Sequence, residues 1–271
     1  MASKTMHLQL DEGKIAYDDA GSGPLVLCSP GLGDFRSQFR FIAPEIAKQG
    51  FRVVTMDLRG MGDSDATFDK YDGEHVGKDM IALLRHLNAG PAVILGNSVS
   101  AGASIYAAAE APDLVAALVP LSGFTRGPKP GVGIALLYVL MNSPARNSLW
   151  LSHYPTLFVN KPPDLQDNLA AIKAQLKQPA RSKALKGMML GGHAHSETRY
   201  ARVAVPSLHL MGEKDPDFPD PGKEAREVAA IIHGESALIR GAGHYPHIEQ
   251  PQQVLDHVLP FLAKVTTGVH K

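Results

Sequence analysis

The chain of 271 residues is long for one ordinary domain but within reach of a single large α/β domain that carries an insertion. A hydrophobic share of 44% with 20% charged residues is that of a globular protein with a sizeable core, and it excludes a disordered chain. Lysine plus arginine equals aspartate plus glutamate at 27 each, with no long basic stripe, so a nucleic-acid partner has no electrostatic support and small neutral or mixed-polarity substrates fit better.

In chain order, Met1 to Thr5 is polar and lacks the basic segment and apolar stretch of a signal peptide. His7–Leu10 and Lys14–Tyr17 alternate or are rich in β-formers, and Asp11-Glu12-Gly13 between them predicts a hairpin turn. Leu25–Ser29 and Phe51–Asp57 are short apolar runs bounded by glycine and proline, the pattern of buried parallel strands. Cys28, the only cysteine, excludes an internal disulfide and reads as a small core residue. His75–Leu87 sets Val76, Met80, Leu83, Leu84 and Leu87 at helical spacing, with Lys78, Asp79 and Arg85 opposite. Ala92–Gly96 follows as a strand, Ala101–Ala109 as a helix of small residues and Leu114–Leu121 as a strand. After a long gap come the strand Ser207–Gly212, the helix Lys223–Ile232, the strand Ser236–Arg240 and a helix near Val254–Leu262. This alternation predicts an α/β fold, a mostly parallel central sheet with helices on both faces and right-handed crossovers.

The gap, about 124–199, breaks the rhythm. It opens with Arg126-Gly127-Pro128-Lys129-Pro130-Gly131, continues with the apolar Val132–Met141 and holds a second helical stretch, Leu165–Leu176. Val132–Met141 is the longest apolar run and falls short of the ~20 residues a bilayer requires, so no membrane span and a cytoplasmic location are expected. A connection this long is a functional lid or an inserted module. The expected division is a core of 1–123 and 200–271 with a helical cap of 124–199; the plainer alternative is an extension of the sheet edge.

The segment with most chemistry is Ile94-Leu95-Gly96-Asn97-Ser98-Val99-Ser100-Ala101-Gly102, an apolar strand running through Gly-x-Ser-x-Ser into a helix-forming stretch. So sharp a strand-to-helix turn needs small residues two positions before and after the serine, and it sets the hydroxyl at the positive end of the next helix. The pentapeptide resembles the nucleophile elbow of the α/β-hydrolase family, Gly-x-Ser-x-Gly, with Ser100 in place of the second glycine. The resemblance covers about residues 6–123 and 200–264. In this family an acid and a histidine follow the serine, each at the C-terminal end of a later strand. Ser207–Gly212 is followed by Asp215, and Ser236–Arg240 by Gly241-Ala242-Gly243-His244. The resemblance therefore implies Ser98 as nucleophile, His244 as base and Asp215 as the acid that orients it.

Each corner has alternatives. Asp217 and Asp220 stand near Asp215, but Asp215 best matches the position, while Glu213 and Asp217 read as solvated loop charges. His247 lies farther from the strand end and reads as a pocket-rim or surface residue. His193, His195 and His209 lack a supporting carboxylate or cysteine pattern for a metal site and read as structural or exposed. Family likeness implies an oxyanion hole of two backbone amides, Val99 and Leu32 within Pro30-Gly31-Leu32-Gly33-Asp34, with Ser29 or Asp34 steadying that loop in place of the usual histidine. Asp57-Leu58-Arg59-Gly60-Met61-Gly62-Asp63-Ser64 also looks like a family signature and implies a structural turn in which Arg59 pairs a carboxylate.

These residues lead to the expectation of a serine hydrolase acting on small-molecule carboxylic esters of small or medium acyl chain, without cofactor or metal. A serine at position 98 argues against the epoxide-hydrolase and haloalkane-dehalogenase branches, which need a carboxylate nucleophile. Two other readings stand beside it. Gly96-Asn97-Ser98-Val99-Ser100-Ala101 is similar to the elbow of small ligand-sensing α/β hydrolases of plants and bacilli, with Asn97 where histidine is usual. The triad also suits perhydrolysis, acyl transfer to an alcohol, or carbon–carbon bond hydrolysis.

Overall fold

Strands β1 (Met6–Gln9), β2 (Lys14–Gly21), β3 (Leu25–Ser29), β4 (Arg52–Met56), β5 (Ala92–Asn97), β6 (Val115–Leu121), β7 (Leu208–Gly212) and β8 (Glu235–Ile239) pair in one sheet, in the order β1-β2-β4-β3-β5-β6-β7-β8. The computed structural model describes residues 5–127, 132–192 and 194–267. The Pro128–Gly131 stretch that opens the gap, and His193, therefore lie outside the described residues. β1 and β2 form the expected hairpin, closed by Leu10 N–H donating to Gly13 O at 2.8 Å, and β2 runs antiparallel to β4. From β4 to β8 every pairing is parallel.

The α-helices of the described chain are α1 (Ala43–Lys48), α2 (Gly73–Leu87), α3 (Val99–Glu110), α4 (Val132–Asn142), α5 (Arg146–His153), α6 (Leu165–Leu176), α7 (Pro179–Leu190), α8 (Ala194–Glu197), α9 (Pro221–Ile231), α10 (Pro246–Glu249) and α11 (Pro251–Thr266), with short 3-10 turns between some of them. Every residue of β3 and β5 is buried, because successive side chains point to opposite faces and both faces are covered. Leu25, Leu27 and Ile94 join α2 and α3 in one apolar cluster, whereas Val26, Cys28, Val93 and Leu95 join α1 and α11 in the other. Cys28 is thus the core residue its apolar neighbours predict. α2 begins two residues before the predicted start because Asp72 caps it, accepting from His75 N at 3.0 Å; it ends at Asn88 in the left-handed conformation.

The turn after β4 has the structural role its signature implies. Arg59 forks onto Asp79 of α2 at 2.7 and 2.6 Å, both side chains buried, which ties the turn to the helix.

Between β6 and β7 the chain builds α4 to α8. α4 and α6 match the two predicted helical stretches; α5, α7 and the short α8 are additional. Trp150, Tyr154, Leu157, Phe158, Leu165, Ile172, Leu176 and Leu185 form a third apolar cluster with Tyr245 of the loop after β8 and Ile248 of α10. Polar ties reinforce the docking. Arg40 pairs with Asp164 at 2.6 Å, Gln175 exchanges two 3.0 Å hydrogen bonds with the Gly62 backbone, and Glu249 accepts from Val159 and Asn160 N–H at 2.9 and 2.7 Å. Among the described residues no helix is long and apolar enough to cross a membrane.

Candidate active site

β5 runs straight into α3 with Ser98 as the only joint, and Ser98 takes φ +55° and ψ −120°, a strained conformation for a residue with a side chain. Gly96 makes the bend possible, since a Cβ there would lie 2.5 Å from Ser100 O and 2.9 Å from Ala101 N. Ser98 is the N-cap of α3 yet caps nothing with its side chain, so the hydroxyl is left for other use at the positive end of that helix. It is 4% exposed.

Ser100, the departure from the family pattern, has a definite role. Its hydroxyl donates to Pro30 O at 2.5 Å and shares a 2.9 Å hydrogen bond with Ser29 Oγ, lashing the elbow to the loop after β3. Asp34 steadies the far side of that loop. Its buried carboxylate accepts from Phe35 N at 2.8 Å, Gln38 Nε2 at 2.9 Å, Tyr154 OH at 2.7 Å and Asn168 Nδ2 at 3.2 Å. Among the described residues no protein acceptor takes the amides of Leu32 or Val99, the two candidate oxyanion donors. A Cβ built at Gly31 comes within 3.2 Å of Ser98 Cβ, so this loop passes directly over the elbow.

The loops after β7 and β8 bring Asp215 and His244 together. His244 Nδ1 lies 2.9 Å from Asp215 Oδ2, with both side chains almost wholly buried. Nδ1 facing a carboxylate assigns it the proton in the neutral ring and leaves Nε2 as the basic atom. Burial opposes a charge on this ring, but the Asp215 charge and hydrogen bond, supported by Asp217 and Glu249, outweigh it and hold the imidazole above the ordinary histidine range. Asn97 Nδ2 donates to His244 O at 3.3 Å, so elbow and histidine loop touch. Among the described residues the Ser98 hydroxyl makes no hydrogen bond, to the ring or elsewhere.

Several expectations change. Asp217 is not a solvated loop charge: its side chain is 21% exposed, and Oδ2 lies 3.8 Å from His244 Nδ1. His247 is no rim residue but fully buried, stacked on Phe39 with ring centroids 4.9 Å apart. Asp220 serves as a helix cap, accepting from Lys223 N at 2.9 Å, and Glu213 stays exposed while accepting from Gly241 N at 3.0 Å. His195 and His209 are both buried, and neither belongs to a potential metal-ligand group among the described residues.

Some neighbours of the site lie beyond any sequence motif. Phe124 N–H donates to Ser98 O at 3.1 Å, and its ring packs between Phe218 and His244 at centroid distances of 4.8 and 5.7 Å. Gly33 adopts φ +73° against the Trp150 indole, where a Cβ would lie 2.7 Å from Nε1. His244 N–H donates to Leu157 O at 2.9 Å. The lone tryptophan is the one sequence signal that marks this contact in advance.

Comparison with known proteins agrees with this architecture. The family model described as the alpha/beta hydrolase family matches residues 25–257. A 2-hydroxy-6-oxononadienedioate/2-hydroxy-6-oxononatrienedioate hydrolase of Paraburkholderia xenovorans (strain LB400) is 27% identical over 97% of this chain and 96% of its own. The protein of the same name from Klebsiella pneumoniae is 26% identical over 97% of both. Among solved structures, an esterase of Thermogutta terrifontis has a TM-score of 0.81 at 22% identity, covering 98% of this chain and all of its own, a likeness of fold.

Proposed function

The chain belongs to the alpha/beta hydrolase family, and from that premise we propose that it is a serine hydrolase of small carboxylic esters, with Ser98, His244 and Asp215 as its triad. The reading rests on one observation above all: a serine strained to φ +55° at a helix N-terminus, with a buried imidazole–carboxylate pair at 2.9 Å on the loop that the adjacent Asn97 touches. Ser98 Oγ attacks the ester carbonyl while His244 Nε2 takes its proton, and Asp215 stabilises the imidazolium. The Leu32 and Val99 amides receive the tetrahedral oxyanion, each worth roughly 3–4 kcal/mol of barrier. His244 returns the proton to the leaving alkoxide, then draws one from the water that cleaves the acyl-enzyme. These steps need no metal or cofactor. The segment 124–199 acts as the cap, with Trp150 packed on Gly33 of the oxyanion loop and Leu157 O accepting from His244 N–H.

Carbon–carbon bond hydrolysis is the second reading, favoured by the likeness to the two dioate hydrolases over nearly the whole chain. A dioate bearing hydroxy and oxo groups contains no ester, so its hydrolysis breaks a carbon–carbon bond. Residues 124–199 also carry ten Lys and Arg against three Asp and Glu, a surplus of +7 that suits a dianionic substrate.

A fluorophosphonate label followed by peptide mapping is expected to modify Ser98, and Ser98→Ala to lower turnover of p-nitrophenyl esters about 10⁴-fold or more with the melting temperature retained. Labelling elsewhere, or a Ser98→Ala enzyme with substantial activity, defeats the assignment. A 2-hydroxy-6-oxo-dienoate assayed beside acetate, butyrate and octanoate esters decides between the two bonds by kcat/KM.

A further inference from the structure

We propose that Asp217 is a second carboxylate that positions and charges His244 alongside Asp215, and that His153 of α5 competes with His244 for it. This rests on the triad reading above. The two acids are built as a unit: Asp217 N–H donates to Asp215 Oδ1 at 3.0 Å, so the backbone that carries one carboxylate orients the other. Asp215 Oδ2 then takes the hydrogen bond from His244 Nδ1 at 2.9 Å. Asp217 Oδ2 stands 3.8 Å from the same nitrogen, too far for that bond but well within range of its charge. The other oxygen of Asp217 faces away from the ring, toward His153 Nε2 at 3.5 Å.

His153 is 47% exposed and ends α5, the helix whose Trp150 packs on Gly33. Its ring lies 6.0 Å from that of Trp150, and its Nδ1 is 3.4 Å from Thr156 Oγ1. The groups facing Asp217 are thus His244, Asp215 and His153, and Glu249 adds a more distant negative charge at His244. Burial pushes the Asp217 carboxyl up, but His153 and His244 overcome this and hold it below the usual carboxylate range, so it is ionised whenever the enzyme works. His153 and His244 thus share one carboxylate, and whatever of its charge His153 engages is withdrawn from the imidazolium, so α5 bears on the base of the triad.

The test is the pH profile of kcat/KM on p-nitrophenyl butyrate for wild type, D217N, H153Q, D215N and the D215N/D217N pair. D217N is expected to move the ascending limb down by about one pH unit and to lower the plateau several-fold. H153Q moves that limb the opposite way, because no competing partner for the Asp217 carboxylate remains. D215N loses roughly 10³–10⁴-fold, and D217N added to it removes still more, because Asp217 carries the residual support. Limbs of D217N and H153Q that superpose on wild type overturn the proposal. Should D217N not fold, the exposed H153Q decides alone: an unmoved limb overturns it. Activity retained by Ser98→Ala defeats the triad reading instead, so the two failures are told apart.

Discussion

Ser100 stands where the family's elbow has its second glycine, and its hydroxyl performs a task that glycine cannot, holding Pro30 O at 2.5 Å and Ser29 Oγ at 2.9 Å. All three groups are buried, so removing the hydroxyl leaves a carbonyl and a serine without their partner, at a cost of about 1–3 kcal/mol. Ser100→Ala is therefore expected to lower stability by that amount in urea titrations. Because Pro30 stands two residues before Leu32, the substitution is also expected to reduce kcat roughly tenfold while KM changes little, the signature of an interaction made in the transition state. Unchanged kcat with the stability loss present would confine Ser100 to a structural role. The residues of the site differ in how legible they are. Ser98, Asp215 and His244 each follow an apolar strand, and a strand end is a local pattern. Asp217 could be seen as a nearby charge, but its approach to His244 depends on how the β7 loop folds back, and no spacing encodes that.

Elements with a strict period are legible in the same way. The buried runs of β3 and β5 and the amphipathic α2 stand within two residues of their predicted bounds, because burial on one or both faces leaves a repeat. α5 and α7 leave none. α7 opens on Pro179 and buries Ser182, Ala184, Leu185 and Met188, too mixed a set for a clear stripe, and α5 buries Trp150 alone. Their order comes from docking, since Trp150 of α5 and the following Tyr154 reach across to Gly33 and Asp34, and Arg181 of α7 donates to Gly60 O at 3.2 Å. The contact between α5 and the loop after β3 predicts the effect of Gly33→Ala. The new methyl group meets the indole at 2.7 Å, and φ +73° disfavours any side chain, so loop and helix must separate. A destabilisation of about 2–4 kcal/mol by chemical denaturation, together with lower kcat, is expected. Wild-type stability in this variant would mean that α5 yields easily, and that the segment is only loosely docked.

For the molecule as a whole, charge and protonation set two dependences. His209 and His247 are buried, and burial lowers them to about 4 and about 3; for His247 the Arg40 and His244 charges add to this. The folded chain therefore holds both rings neutral, while unfolding lets them take protons once the pH falls below the ordinary histidine value near 6.5. Their contribution is intact above that value and is lost as the pH drops, at about 1.4 kcal/mol per pH unit for each ring. His244 has the opposite sign, since its value is raised: its stabilisation is present at low pH and lost as the pH rises through its folded value. Urea midpoints of wild type and His209→Gln at pH 5 and 7.5 test this, the variant being expected to show the smaller acid loss; equal losses sink the assignment. The second dependence comes from the division of charge. The chain is neutral in sum, yet 124–199 carries +7 and the remainder −7. Among the described residues Arg146, Lys161, Lys173, Lys177, Arg181, Lys183 and Lys186 form no ion pair within that segment or beyond it. Such a field beside the site draws anions inward and is screened by salt, over a Debye length that shrinks from about 30 Å at 0.01 M to about 3 Å at 1 M. Raising ionic strength from 0.01 to 0.5 M should thus lower kcat/KM for a hemisuccinate ester of p-nitrophenol about tenfold, with less than a twofold change for the neutral butyrate. Parallel salt curves for the two esters would mean that the basic segment does not bear on substrate entry.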